Sequence, residues 1–279
     1  MAIAELKEAF LLLRRMPALW TPGIVGGSLA AALWITLNLY GTFFAGRLLV
    51  ISVLVLLVFT TGMLTVIRDN GGSLASLLSG GIRYYFRVLI PQLVIVSGII
   101  LVLMLGTITF GLFGITDMSI VIALVIGFMI PTLIFTFFYD TAAIFEDRRV
   151  FDSIRRSLTL VFAHMNQVIA FLFVYLVIIS GTVLALLFIW EAFLYDKLEP
   201  IARYNETQLQ ALSPEQLIAM IGPGGMWITA VILFTGIFLL LPVLYSYKAC
   251  FFKKIAGGII ITQQPTTGEF DSKGRWYKY

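Results

Sequence analysis

Residues 48–67 read LLVISVLVLLVFTTGMLTVI, an uninterrupted run between Arg47 and Arg68 with no charged side chain. At about 1.5 Å per residue, a helix of this length matches the hydrocarbon thickness of a bilayer, about 30 Å. In hydrocarbon every backbone N–H and C=O needs a partner within the protein. The run is continuously apolar and does not alternate over ten-residue segments, so a helix is expected and not a barrel strand. Working outward, uncharged runs recur at 16–46, 88–116, 118–139 and 216–247, and 157–190 is interrupted only by His164. Six spans are expected, near 18–40, 48–67, 88–114, 119–145, 167–190 and 226–249. The domain division that follows is one transmembrane domain over 1–256 and a polar, aperiodic cytoplasmic tail over 257–279, expected to be flexible.

Composition leads to the same class. The 279 residues are 60% hydrophobic and 12% charged, against about 45–50% and about 25% in a soluble domain. That excludes a soluble globular, a disordered or a collagen-like chain. The formal charge of +4 is modest, and the basic residues flank apolar runs, so no nucleic-acid partner is expected. Cys250, the single cysteine, allows no intramolecular disulfide and is expected as a core thiol. The opening MAIAELKEAF carries Glu5 and Glu8 and lacks a small-residue cleavage pattern, so the first span is expected to be retained.

Lys and Arg are held preferentially on the cytoplasmic side of a membrane. With the amino terminus inside, sixteen of the nineteen basic residues fall on that side, leaving Arg47, Lys197 and Arg203 outside. The expected location is therefore the cell membrane, multi-pass, with both termini cytoplasmic.

A short amphipathic segment precedes each pair of spans. The clearest is 150–163, with Phe151, Ile154, Leu158 and Val161 on one face and Asp152, Arg155, Arg156 and Thr159 on the other. The second is 73–87 and the first 5–15. The expected fold class is all-α: six transmembrane helices in three hairpins, each preceded by an in-plane amphipathic helix. Such helices anchor in the interface, with Arg83, Arg87, Arg155, Arg156 and His164 toward lipid headgroups. The alternative is a docking surface for a cytoplasmic partner.

The stretch FFYDTAAIFEDRRVFDSIRRSLTLVFAHMNQVIAFLFV, residues 137–174, resembles a group of membrane proteins related to the integral membrane domain of some glycerophosphoryl diester phosphodiesterases. The matching features are Asp140, Glu146-Asp147, Asp152-Ser153, Arg156-Ser157-Leu158 and Asn166, with Pro242 and LYSYKACFFKK at the close. The resemblance covers roughly the carboxy-terminal two thirds and implies a six-helix membrane domain. It does not imply phosphodiesterase activity, which in that family belongs to a separate soluble barrel.

No constellation for catalysis emerges. His164 is the only histidine, and no HExxH, G-x-S-x-G, Walker A or G-x-G-x-x-G pattern occurs. The chain is expected to be no enzyme and to need no cofactor or metal. Asp140, late in the fourth span, has two readings. One is structural pairing with Arg148, Arg149 or Lys248, near Glu146; the other is an ion, proton or substrate role. Pro91, Pro131 and Pro242 are read as packing kinks, with a transport site as the alternative. Gly27 with Ala31 and Gly181 with Ala185 are expected to permit close helix approach. In the outer loop, Ser213-Pro214 is expected to open a short helix that Gly222-Pro223 ends. The function expected is a non-enzymatic membrane component that organises a membrane or cytoplasmic partner or lipid. The alternative is a small transporter or channel for a lipid-like or small solute.

Overall fold

The structure, a computed structural model, describes residues 2–114, 118–202, 204–205, 214–260, 268–270 and 276–278. The elements are α1 (Ala2–Arg15), a 3-10 turn (Pro17–Trp20), α2 (Thr21–Arg68), α3 (Leu74–Leu112), α4 (Met118–Thr136), α5 (Tyr139–Phe145), α6 (Val150–Ala163), α7 (Met165–Ala202) and α8 (Pro214–Ile260). Short strands β1 (Gly268–Phe270) and β2 (Trp276–Lys278) pair antiparallel within the tail, and α8 continues past the expected domain boundary. Among the described residues five stretches are long and apolar enough to cross a membrane: Pro17–Arg68, Leu74–Leu112, Ile122–Phe145, Met165–Glu199 and Met220–Gly257. Apart from that strand pair, the described elements are helical and of membrane type.

The 48 residues of α2 would form a rod of about 72 Å, more than twice the hydrocarbon thickness. They do not. Gly41 has φ 78° and ψ −177°, a conformation that suits glycine, and the helix resumes at once beyond it. A Cβ built on Gly26 would lie 3.2 Å from the Leu56 side chain, whereas a straight helix would hold those positions about 45 Å apart. The two limbs therefore fold back against each other, reversed by one residue. Gly222 (φ 67°) breaks α8 in the same way after Ile221, where the short outer helix was expected to end. Ser213, expected to open that helix, lies outside the described residues.

Of the three in-plane segments, 5–15 lies in α1 and 150–163 in α6, both separate elements. The second, 73–87, is not separate: α3 runs unbroken from Leu74 through Pro91 to Leu112. Close packing explains why Gly80 and Gly81 do not interrupt it. A Cβ on Gly81 would overlap the Val58 carbonyl oxygen and one on Gly80 the Thr65 hydroxyl, so the missing side chains let α3 seat on α2. Gly27 behaves likewise: a Cβ built on it would lie 2.6 Å from the Phe234 carbonyl oxygen of α8. Gly181 does not. It faces open space, so the close approach expected there is absent.

Buried side chains gather toward one end of the bundle. Phe138, Phe171, Tyr247, Phe251 and Phe252 pack ring on ring, with the Phe171 and Phe251 centroids 4.4 Å apart, and Cys250 is buried beside them. The basic residues expected on the cytoplasmic side meet at this same end. Lys253 donates to the Ile67 carbonyl (2.8 Å), Arg68 to the Ile144 carbonyl (2.9 Å), and Arg87 and Lys254 pair with Asp147 and Glu5. Along the middle of α7 and α3 the large apolar side chains stand exposed. In water so large an apolar face would be untenable; in hydrocarbon it is the solvated surface.

Candidate functional site

Asp140 owes its position to an interruption in a helix. α4 ends at Thr136 and α5 begins at Tyr139, and the break falls in FTFFYD, a run without glycine or proline. A break inside a span frees backbone groups that lipid cannot satisfy. Here one side chain serves both ends. The Ser157 hydroxyl of α6 donates to the Phe135 carbonyl (2.7 Å) and accepts from the Phe138 N–H (3.0 Å). Ser153 and Ser157 form the buried stripe of α6 with Leu160 and Val161, while Phe151, expected on the apolar face, points outward. Small serines let α6 approach the break closely enough to cap it.

After this interruption Asp140 turns toward α8. Its carboxylate pairs with Lys248 Nζ at 2.7 Å through Oδ1 and 2.8 Å through Oδ2, and Oδ1 also accepts the Thr141 N–H at 2.6 Å. The two residues are only 5% and 7% exposed, so the pair is closed off inside the bundle. The ammonium also sits over the Phe137 ring, 4.5 Å from its centroid, and 5.6 Å from that of Tyr245. Of the three partners considered for Asp140, Lys248 is the one that meets it.

Beside the pair lies a cavity of about 170 Å³ between the second limb of α2, α3, α5 and α8. Thr60, Thr61, Gln92, Tyr139, Asp140 and Tyr245 supply its polar lining, and Val53, Leu56, Leu57, Leu64, Val88 and Leu241 the rest. Thr60, Thr61 and Asp140 in its wall are buried, whereas Val53 at the rim is 45% exposed, about midway along the second limb of α2 between Gly41 and Arg68. At Val53 the cavity reaches the side of the bundle.

The other residues singled out from the sequence lie elsewhere. Glu146 accepts two bonds from Arg156 Nε at 2.9 Å, a third from Arg156 Nη2 at 2.8 Å, and one from Arg148 at 3.1 Å. This fork holds the α5–α6 turn and does not reach Asp140. Arg149 precedes α6, exposed, as Arg155 is within it. Arg83 borders a second recess with Arg68, Asp69, Ser76 and Ser79. His164 closes α6, and its Nε2 is buried without a hydrogen-bond partner. Among the described residues no three His, Cys, Asp or Glu side chains converge as metal ligands.

Sequence reasoning missed Thr60, Thr61, Gln92, Tyr139 and Tyr245. A signal existed for three of them, since Thr60, Thr61 and Gln92 are polar residues in the middle of uncharged runs. It also missed Arg68, which ties α2 to α3 and α5 through Tyr84 (2.7 Å) and the Ile144 carbonyl. No family model, no curated protein and no solved structure matches this chain.

Proposed function

We propose that this chain is a non-enzymatic cell-membrane protein of six spans that holds the polar end of a lipid-like molecule in the lateral cavity beside Asp140 and Lys248, organising lipid or a membrane partner around it. The six spans come from counting the two limbs of α2 separately, in three hairpins with both termini cytoplasmic. The gathering of basic residues at one end supports that orientation. Exposed Arg83, Arg149 and Arg155 and the basic end of the bundle face anionic headgroups in this reading. Kinship with the membrane domain of glycerophosphoryl diester phosphodiesterases is part of it, and rests on the residues around Asp140 and Ser157.

One observation carries the proposal: a cavity with a buried polar floor whose exposed edge, at Val53, lies on a stretch long and apolar enough to cross a membrane. A ligand matching that gradient is polar at one end and apolar at the other. Val53→Trp places a large side chain at the rim, where Val53 is already exposed. Mass spectrometry of the protein in mild detergent should find a stoichiometric lipid on the wild type and none on Val53→Trp. A wild-type protein that emerges free of lipid refutes the reading.

The second reading, a small transporter for a lipid-like or small solute, is favoured by the charged pair beside the opening. It predicts flux or transbilayer lipid movement in proteoliposomes that Val53→Trp abolishes. Unchanged flux in that variant removes it.

A further inference from the structure

We infer that the group held in the cavity is an uncharged, hydroxyl-bearing lipid headgroup; this rests on the lateral-cavity reading above. Asp140 is the one charged residue among the lining residues, and its charge is already matched by Lys248. A phosphoryl group entering here would meet a carboxylate with no free cation beside it. A cationic headgroup would meet a carboxylate whose two oxygens are taken, with an ammonium 2.7 Å behind them. Either ion would be desolvated without a partner, the costliest way to bury a charge.

The hydrogen-bonding inventory is that of an alcohol site. Thr61 is 1% exposed and its hydroxyl has no partner, although it lines the cavity. A buried hydroxyl left unpaired is destabilising, and a ligand hydroxyl can both donate to it and accept from it. The Gln92 amide and the Tyr139 and Tyr245 hydroxyls add donors and acceptors without adding charge. Size agrees. About 170 Å³ holds roughly five to six waters at about 30 Å³ each, which suits a compact diol or triol head and is too small for a full acyl chain. The hydrocarbon-facing rim at Val53 leaves the chains outside, in the bilayer. A lipid fits that arrangement better than a free alcohol from water.

The test uses the full chain in phosphatidylcholine nanodiscs. Three probes are titrated: a diacylglycerol, the phosphatidic acid with the same acyl chains, and free glycerol. The diacylglycerol is expected to bind at least about tenfold more tightly than phosphatidic acid. Thr61→Val, which keeps shape and removes the hydroxyl, should weaken it about five- to tenfold. Thr61→Ser should bind like wild type, and the unfolding midpoints of both variants separate lost binding from lost folding. Phosphatidic acid binding as tightly as the diacylglycerol, with Thr61→Val without effect and Val53→Trp still blocking, overturns the headgroup class and leaves the lateral cavity standing. Binding of free glycerol without binding of the diacylglycerol overturns the lipid source. Binding of none of the three, or lipid binding unmoved by Val53→Trp, overturns this inference and the function it rests on together.

Discussion

Replacing Lys248 by methionine leaves the Asp140 carboxylate buried with the Thr141 N–H as its remaining hydrogen-bond partner. Removing one member of a buried ion pair costs about 3–5 kcal/mol, because the other charge stays desolvated and unpaired. The converse change is milder here, for a reason visible in the geometry. In Asp140→Asn the amide oxygen still accepts from Thr141, and the ammonium keeps the Phe137 and Tyr245 rings at 4.5 and 5.6 Å, together worth about 1–2 kcal/mol. Lys248→Met is therefore expected to be the more damaging by about 1–2 kcal/mol. The double variant should recover at least about 2 kcal/mol relative to the sum of the two, since neither charge then remains. Unfolding in mixed micelles of mild detergent and dodecyl sulfate, followed by far-UV circular dichroism, measures all four proteins. Strict additivity, or Asp140→Asn the worse of the two, refutes the account of the pair.

Ser157→Ala removes the hydroxyl that serves both ends of the α4–α5 break and leaves the Phe135 carbonyl and Phe138 N–H unpaired. A loss of about 1–3 kcal/mol is expected in the same unfolding assay, and a change within about 0.5 kcal/mol would contradict that role. Gly62→Ala should lower the unfolding midpoint sharply, because its Cβ would overlap the Leu77 carbonyl oxygen and push α3 off α2. Gly181→Ala, in open space, should be neutral or stabilising by up to about 1 kcal/mol; equal effects would refute the packing contrast. Cysteines introduced at Thr42 and Ser79 should react with a membrane-impermeant maleimide from opposite faces, Thr42 from outside. Buried Cys250 keeps the background low. Labelling of both from one face sinks the fold-back topology.

The sequence made legible what local composition controls. Long uncharged runs became helices, the basic residues that read as one side met at one end, and Cys250 went to the core. The reversal of α2 needed only Gly41, where a longer connection through Arg47 was expected; a lone glycine in an apolar run gives no warning that it takes a positive φ. The α4–α5 break was illegible because its cause is tertiary. Nothing in FTFFYD ends a helix, and the hydroxyl that stabilises the interruption arrives from Ser157, in a different helix. Asp140 stood out because ionisable groups are rare at membrane depth, but choosing Lys248 over Arg148 and Arg149 required the register of α8. The cavity could not be read at all, being made by four elements that contribute two to six residues each.

The uneven placement of the core makes the molecule a tuning fork. Its handle is the aromatic and charged end, where α1, α5, α6 and the last turns of α8 interlock. Its tines are the outer halves of the helices, joined by a few bonds such as Trp34 to the Met226 carbonyl (3.1 Å) and Trp190 to Thr229 (2.8 Å). Regions with few buried contacts open at low free energy. Separating the tines therefore costs less free energy than any shift of register in the handle.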